Sequence, residues 1–200
     1  MTENKNLPKV GVIGSGSFAT AVVKMLMENC EKVHWLLRND GTREALVSQG
    51  SNPHYLTAVK FNPDRLVLTM DINELVTACD VIILATPSIY LADTIEKMTC
   101  DYSGKIFASV IKGIVPKHND IVANYLRDTF NIGYRSQAVL AGPCHAEEVA
   151  MERLSFLTVA AASKETTQML SDLLSSRYIR INQSNDILGN EYSAVLKNIY

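Results

Sequence analysis

The stretch Lys9-Val-Gly-Val-Ile-Gly14-Ser-Gly16-Ser-Phe-Ala19 decides the fold. It begins as a short apolar run and ends in glycines, the pattern of a strand buried on both faces of a parallel sheet. Helical periodicity takes over from Ser17 through Asn29, with Ala21, Val22, Met25 and Leu26 on one face. Val33-His-Trp-Leu-Leu37 reads as a second strand, and Thr42 starts a helix that stops near Gly50. Strand, helix and strand in this short span make a βαβ unit.

The glycine spacing gives that unit a chemical meaning. Gly14-x-Gly16-x-x-Ala19 is the dinucleotide fingerprint, placed after a strand and at the opening of a helix, the context it requires. Gly14 allows the tight turn, Gly16 lets the backbone approach a pyrophosphate, and Ala19 keeps the helix close to the sheet. N–H groups at the helix start then face the phosphates, with Ser17 and Phe18 placed to touch them. The end of the second strand carries the cofactor choice. An acid there suits the ribose hydroxyls of NAD, and an arginine suits the 2′-phosphate of NADP. Arg38 comes first in Arg38-Asn39-Asp40 and favours NADP, while Asp40 keeps NAD open.

Alternation continues along the chain. Asp71 reads as the N-cap of a helix, with Glu74 three positions on. Asp80–Ala85 is a strand, Thr86-Pro87-Ser88 breaks it, and a helix follows to about Met98. Lys105–Ile111 is a strand, and a helix is expected over His118–Thr129. Gln137–Ala141 is a strand, followed by a short helix over Ala146–Met151. Leu154–Ala162 is another strand, Ser163 caps the next helix, and Tyr178–Asn182 is a last short strand. Ser184 or Asn185 opens a final helix containing Leu188, Val195, Leu196 and Ile199. This alternation predicts an α/β fold with a doubly wound, Rossmann-type, mostly parallel sheet. Residues 1–183 are expected to form the NAD(P)-binding domain. Residues 184–200 are expected to begin a helical substrate domain whose remainder lies outside this sequence.

The composition fits that class. Of 200 residues, 47% are hydrophobic and 20% charged, and the net charge is -2. No global basic field draws the chain to nucleic acid. The apolar runs are far shorter than the roughly 20 residues needed to cross a bilayer, so no membrane insertion is expected. Cys30, Cys79, Cys100 and Cys144 are widely spaced without a CxxC pair, which speaks against a metal site and for reduced thiols in a cytoplasmic protein.

Four further motifs are expected in loops at the C-terminal edge of the sheet, where such folds bind ligands. They are Ala85-Thr-Pro-Ser88, Ser109-Val-Ile-Lys112-Gly113, Ala141-Gly142-Pro-Cys-His-Ala146-Glu-Glu-Val149 and Glu191-Tyr-Ser-Ala-Val-Leu-Lys197-Asn198. Together with Asn52-Pro-His-Tyr-Leu56, the last three resemble the NAD(P)-dependent glycerol-3-phosphate dehydrogenases, the bacterial type above all. The resemblance runs from Val10 to Tyr200. It implies that Ser17, Phe18, Arg38, Lys112 and Ala146 contact the cofactor, and that Lys112, Gly142, Cys144 and Lys197 line the site for glycerol 3-phosphate or dihydroxyacetone phosphate. Lys197 is implied as the catalytic proton acceptor, with Asn198 beside it. The family usually has Ser or Thr where Cys144 stands, and a thiol is the weaker donor.

The chemistry agrees with those implied roles. Ketone reduction needs a hydride and a proton for the emerging alkoxide, and a partly desolvated Lys197 beside Lys112 is expected to shuttle that proton. Two ammonium groups also attract an anionic substrate and stabilise developing negative charge. Bland readings stand beside these: Lys112 as a surface lysine, Lys197 as a snorkelling one, His145 as a packing residue, and Glu147 and Glu148 as partners of a helix dipole. The competing functions are a ketopantoate reductase-like dehydrogenase and a non-catalytic NAD(P)-sensing module. Retention of both lysines argues against sensing alone. A homodimer is a further expectation, and the chain by itself is expected to bind cofactor but to turn over poorly.

Overall fold

Strand β1 (Val10–Ile13) sits at the hub of the sheet in the computed structural model, which describes residues 7–197. It pairs in parallel with β2 (Val33–Leu36) on one side and with β4 (Val81–Leu84) on the other. Edge strand β3 (Leu66–Thr69) extends the β2 side, while β5 (Ile106–Ser109) and β6 (Gln137–Ala141) extend the β4 side. All six run parallel. β7 (Ser155–Ala161) then pairs antiparallel to β6, and β8 (Ile179–Ser184) runs parallel to β7. The order is β3-β2-β1-β4-β5-β6-β7-β8.

Strand alternation divides the core in two. Val10, Val12, Val81 and Ile83 pack into a cluster with residues of α1 (Ser17–Leu26), α6 (Ala146–Ala150) and α7 (Lys164–Leu174). Ile13, Ile82 and Leu84 face the other way, onto α3 (Ile72–Ala78), α4 (Ser88–Ile95) and α5 (Val122–Phe130). Helix α2 (Asp40–Gln49) joins the β2 and β3 region. Burial on both faces explains why the central strands read as continuous apolar runs. A third, smaller cluster places Ile187 of α8 (Ile187–Leu196) against Val139, Ala141 and Ala160.

Several boundaries differ from the sequence reading. No element is read from the sequence between Gly50 and Asp71, yet β3 lies there behind a 3₁₀ turn over Pro63–Arg65. Four residues of edge strand, two of them half-buried, carry too little alternation to stand out. Helix α5 starts at Val122 rather than His118, because a bridge from Val115 to Asp120 closes a turn across that stretch. Asp186, not Ser184 or Asn185, caps α8 by accepting the Gly189 N–H. Asp71 caps α3 as expected, while Glu74 bonds Thr69 Oγ1 instead of closing a capping box.

Candidate active site

The fingerprint turn is held from three sides. Gly14 has φ +125°, and a Cβ there would lie 2.6 Å from the Ala85 carbonyl oxygen, so only glycine fits between β1 and the end of β4. Trp35 Nε1 donates to the Gly14 oxygen at 2.6 Å. The fully buried Asn52 donates to the Ser15 oxygen at 3.0 Å and to Thr20 Oγ1 at 2.9 Å, and its own Oδ1 accepts the His54 N–H. The loop over 51–56 is thereby tied to the start of α1. Gly16 is the N-cap of α1, no side chain caps that end, and the first turn has no acid. A Cβ on Gly16 would meet nothing within 4 Å. Glycine there answers to no protein neighbour, and the uncapped N–H groups beside it suit an anion.

A cleft of about 620 Å³ opens above this turn, with Gly14, Gly16, Arg38, Tyr55, Thr86 and Tyr90 on its walls. It lies over the C-terminal ends of β1 and β4, where the winding of the sheet reverses and α/β folds bind ligands. A second cavity of about 340 Å³ adjoins it, sharing Ser15, Arg38 and Tyr55 and adding Asn39, Thr42 and His54. Arg38 is exposed and borders both cavities. Asp40 lines neither and sits in the first turn of α2. Ser17 and Phe18 lie to the other side: Ser17 Oγ donates to Glu147 Oε1 at 3.4 Å, and Phe18 underlies Lys112. Ala19 is fully buried in the core under α1.

Lys112 lies further along the same edge. Lys112 follows β5, with its Nζ 5.3 Å from the centre of the Phe18 ring and 3.5 Å from the Gly142 oxygen. Burial, and then the charge of Lys197, lower the Lys112 pKa, opposed by Cys144. Lys197 arrives by a different route from the one the sequence suggests. Because β7 and β8 run against the first six strands, β8 ends at the opposite edge of the sheet. Helix α8 then climbs back past β6 and α5, and only its final end reaches the loops. Lys197, one residue past the end of the helix, lies exposed rather than partly desolvated. Asn198 lies outside the described residues.

Gly142, with φ +130°, makes the turn after β6 and passes within 3.0 Å of the Phe156 oxygen as measured from a Cβ placed on it. Cys144 is buried in the core, its N–H donates to the Gly142 oxygen at 2.9 Å, and burial raises its pKa. Its thiol is therefore no reactive thiolate. Ala146 starts α6, and His145 is its exposed N-cap residue. Trp35, Thr20 and Glu191 are the residues that sequence reasoning assigned no role. Trp35 gives a signal in retrospect, as the single tryptophan in the chain set on the second strand of a fingerprint unit. Among the described residues, no group of three or more potential metal ligands comes together, and no helix is long and apolar enough to cross a membrane.

Sheet order, fingerprint turn and switch-point cleft define a Rossmann-type nucleotide-binding domain. Residues 9–167 match the family of the NAD-dependent glycerol-3-phosphate dehydrogenase N-terminus, and the chain belongs to that family. It is 33% identical over 201 residues to the glycerol-3-phosphate dehydrogenase (NAD(P)+) of Pseudomonas fluorescens, covering 100% of this chain and 57% of that protein. The enzyme of the same name from Staphylococcus saprophyticus is 32% identical, covering 96% of this chain and 58% of its own. The glycerol-3-phosphate dehydrogenase structure from Plasmodium falciparum superposes with a TM-score of 0.86 at 26% identity, over 96% of this chain and 57% of that one. The chain thus spans a little over half the length of these relatives.

Proposed function

We propose that this chain is the cofactor-binding, lysine-bearing part of an NAD(P)-dependent glycerol-3-phosphate dehydrogenase, an oxidoreductase that interconverts sn-glycerol 3-phosphate and dihydroxyacetone phosphate. The observation that carries this reading is the fingerprint turn beneath the switch-point cleft, in a chain whose residues 9–167 match that family. When bound, the nicotinamide supplies or takes the hydride. The chain's own residues do the rest. Gly16 and the uncapped start of α1 receive the pyrophosphate, and Arg38 receives the 2′-phosphate of NADP. Lys112 is steered by Phe18 and Gly142, and with Lys197 it attracts the phosphate-bearing substrate. Lys197 takes the hydroxyl proton on oxidation and returns it on reduction. Cys144 acts through the backbone of its turn.

In this reading residues 1–183 are the nucleotide-binding domain, and residues 184–200 begin the substrate domain. We further place the enzyme in the cytoplasm, where its free thiols stay reduced, as a supplier of the glycerol phosphate backbone of phospholipids. A homodimer is part of the same proposal, supported by the exposed apolar Tyr192 and Leu196.

Fluorescence titration with NADPH and NADH, with Arg38→Asp alongside, tests the reading. Tighter NADPH binding that Arg38→Asp reverses is expected. Equal or tighter NADH binding would shift the cofactor to NAD and the weight to Asp40, and binding of neither would overturn the cofactor site.

A further inference from the structure

Glu191 is fully buried in the middle of α8, and none of the roles above uses it. Its Oε1 accepts the N–H of Val122 and its Oε2 accepts that of Ala123, both at 3.0 Å. These are the first two N–H groups of α5, whose own N-cap, Ile121, has no side chain able to bond them. A carboxyl group on one helix therefore caps another helix from far along the chain. Lys197 follows six residues later, roughly 9 Å along the axis at the usual rise per residue, and its charge is felt at Lys112.

We propose that Glu191 is a positioning residue: its carboxyl group docks α8 on the start of α5 and so holds Lys197 beside Lys112. Its functional weight rests on the reading of those two lysines as reaction-site residues. Ile187, Leu188, Ala194 and Val195 also tie α8 to the cluster around Val139, Ala141 and Ala160. Those contacts are non-directional, whereas the two capping bonds fix the register of α8 on α5.

Proton linkage makes the docking testable. Burial pushes Glu191 up from 4.5 to about 7, with the two N–H bonds pulling down and Asp120 adding to the rise. Other charges near it are few. Helix α5 carries Arg127 and Asp128, paired with each other at its far end. The spans of β6, β7 and the rest of α8 carry none. A docked Glu191 thus binds its proton more tightly than one released to water. Docking is strongest in acid, weakens by up to about tenfold per pH unit as pH rises from the ordinary glutamate range towards 7, and levels off above that.

The experiment is amide-exchange NMR on this chain at several pH values, read as protection factors for Ser193, Ala194, Val122 and Ala123. The Lys112 side-chain titration and NADPH binding are followed in the same samples. Wild-type protection in α8 is expected to fall with rising pH below 7. Glu191→Gln, which imitates the protonated carboxyl, is expected to lose that slope. Glu191→Ala is expected to lose α8 protection while the amides of the central sheet stay protected, and in that folded variant the Lys112 pKa is expected to rise as Lys197 moves off. A flat wild-type profile, a slope retained in Glu191→Gln, or an unmoved Lys112 in a folded Glu191→Ala would overturn the proposal. Should Glu191→Ala not fold, the slope in Glu191→Gln decides. Failure of NADPH to bind while α8 behaves as expected would sink the cofactor reading alone.

Discussion

The indole Nε1 of Trp35 donates to the Gly14 carbonyl oxygen at 2.6 Å, so the second strand holds the turn that ends the first. Trp35 is fully buried, and its ring meets Phe61 edge-on with centroids 5.7 Å apart, so packing fixes the donor in place. Phenylalanine keeps much of that packing and removes the donor. Trp35→Phe is expected to cost about 1–3 kcal/mol through the unpaired carbonyl and to weaken NADPH binding by loosening the turn. Urea denaturation with a parallel cofactor titration checks both, and an unchanged affinity would show that the bond does not hold the turn.

Two glycines of one motif are expected to fail in different ways. A methyl group on Gly14 meets the Ala85 oxygen at 2.6 Å and sits at φ +125°, so Gly14→Ala should destabilise the fold by roughly 3 kcal/mol or more. A methyl group on Gly16 meets no protein atom. Gly16→Ala should therefore melt close to the parent while binding NADPH at least about tenfold more weakly, the equivalent of 1.4 kcal/mol. Melting curves and binding isotherms on both variants make the comparison. Loss of stability in Gly16→Ala with cofactor affinity intact would reverse the assignment.

Asn52 uses both amide hydrogens and its oxygen inside the protein, on the Ser15 oxygen, Thr20 Oγ1 and the His54 N–H. Asn52→Ala leaves buried groups unpaired and should cost roughly 2–3 kcal/mol. The loop over 51–56, which carries Tyr55 on the cleft wall, should also become protease-sensitive. Limited proteolysis with and without NADPH is the check, and an unchanged cleavage pattern would count against the tether.

What the sequence disclosed follows from how local each cause is. The fingerprint, the caps Asp71 and Ser163, and the apolar central strands are set by neighbours in the chain, and the structure places them as read. The β3 strand was hidden because an edge strand owes its form to β2 rather than to its own pattern. The final helix is legible from its own apolar periodicity, whereas the reversal at β7, which makes that helix return from the opposite edge, is not. Glu191 falls within that helix but its role is not legible there, since its partners, the Val122 and Ala123 N–H groups, are backbone groups that no residue pattern reveals. Long-range hydrogen bonds of this kind are what sequence reading cannot supply.

The cysteines offer a sharp chemical check. Burial pushes Cys30 up to about 11 and Cys79 up to about 12, and raises Cys144 as well. Cys100 is the part-exposed thiol. At pH 8 a disulfide reagent should react quickly with Cys100, and with the other three only as fast as the protein unfolds. Mass mapping of the early adduct reads this directly. Early labelling of Cys144 would mean that its turn opens to solvent.

Lys112 should titrate under the influence of the Lys197 charge. Lys197→Met removes a like charge and is expected to raise the Lys112 pKa, while the lowering due to burial, the larger cause, persists. NMR of labelled lysine side chains measures it. The same shift links to stability. Folded Lys112 holds its proton less tightly than a lysine in the unfolded chain, so the unfolded state binds more protons between the folded value and 10.5, and stability from this group rises with pH across that window. Lys112→Met should remove that part of the slope. An unmoved Lys112 in Lys197→Met would mean that the two ammonium groups do not share a site, and would leave the proposed proton transfer without its electrostatic partner.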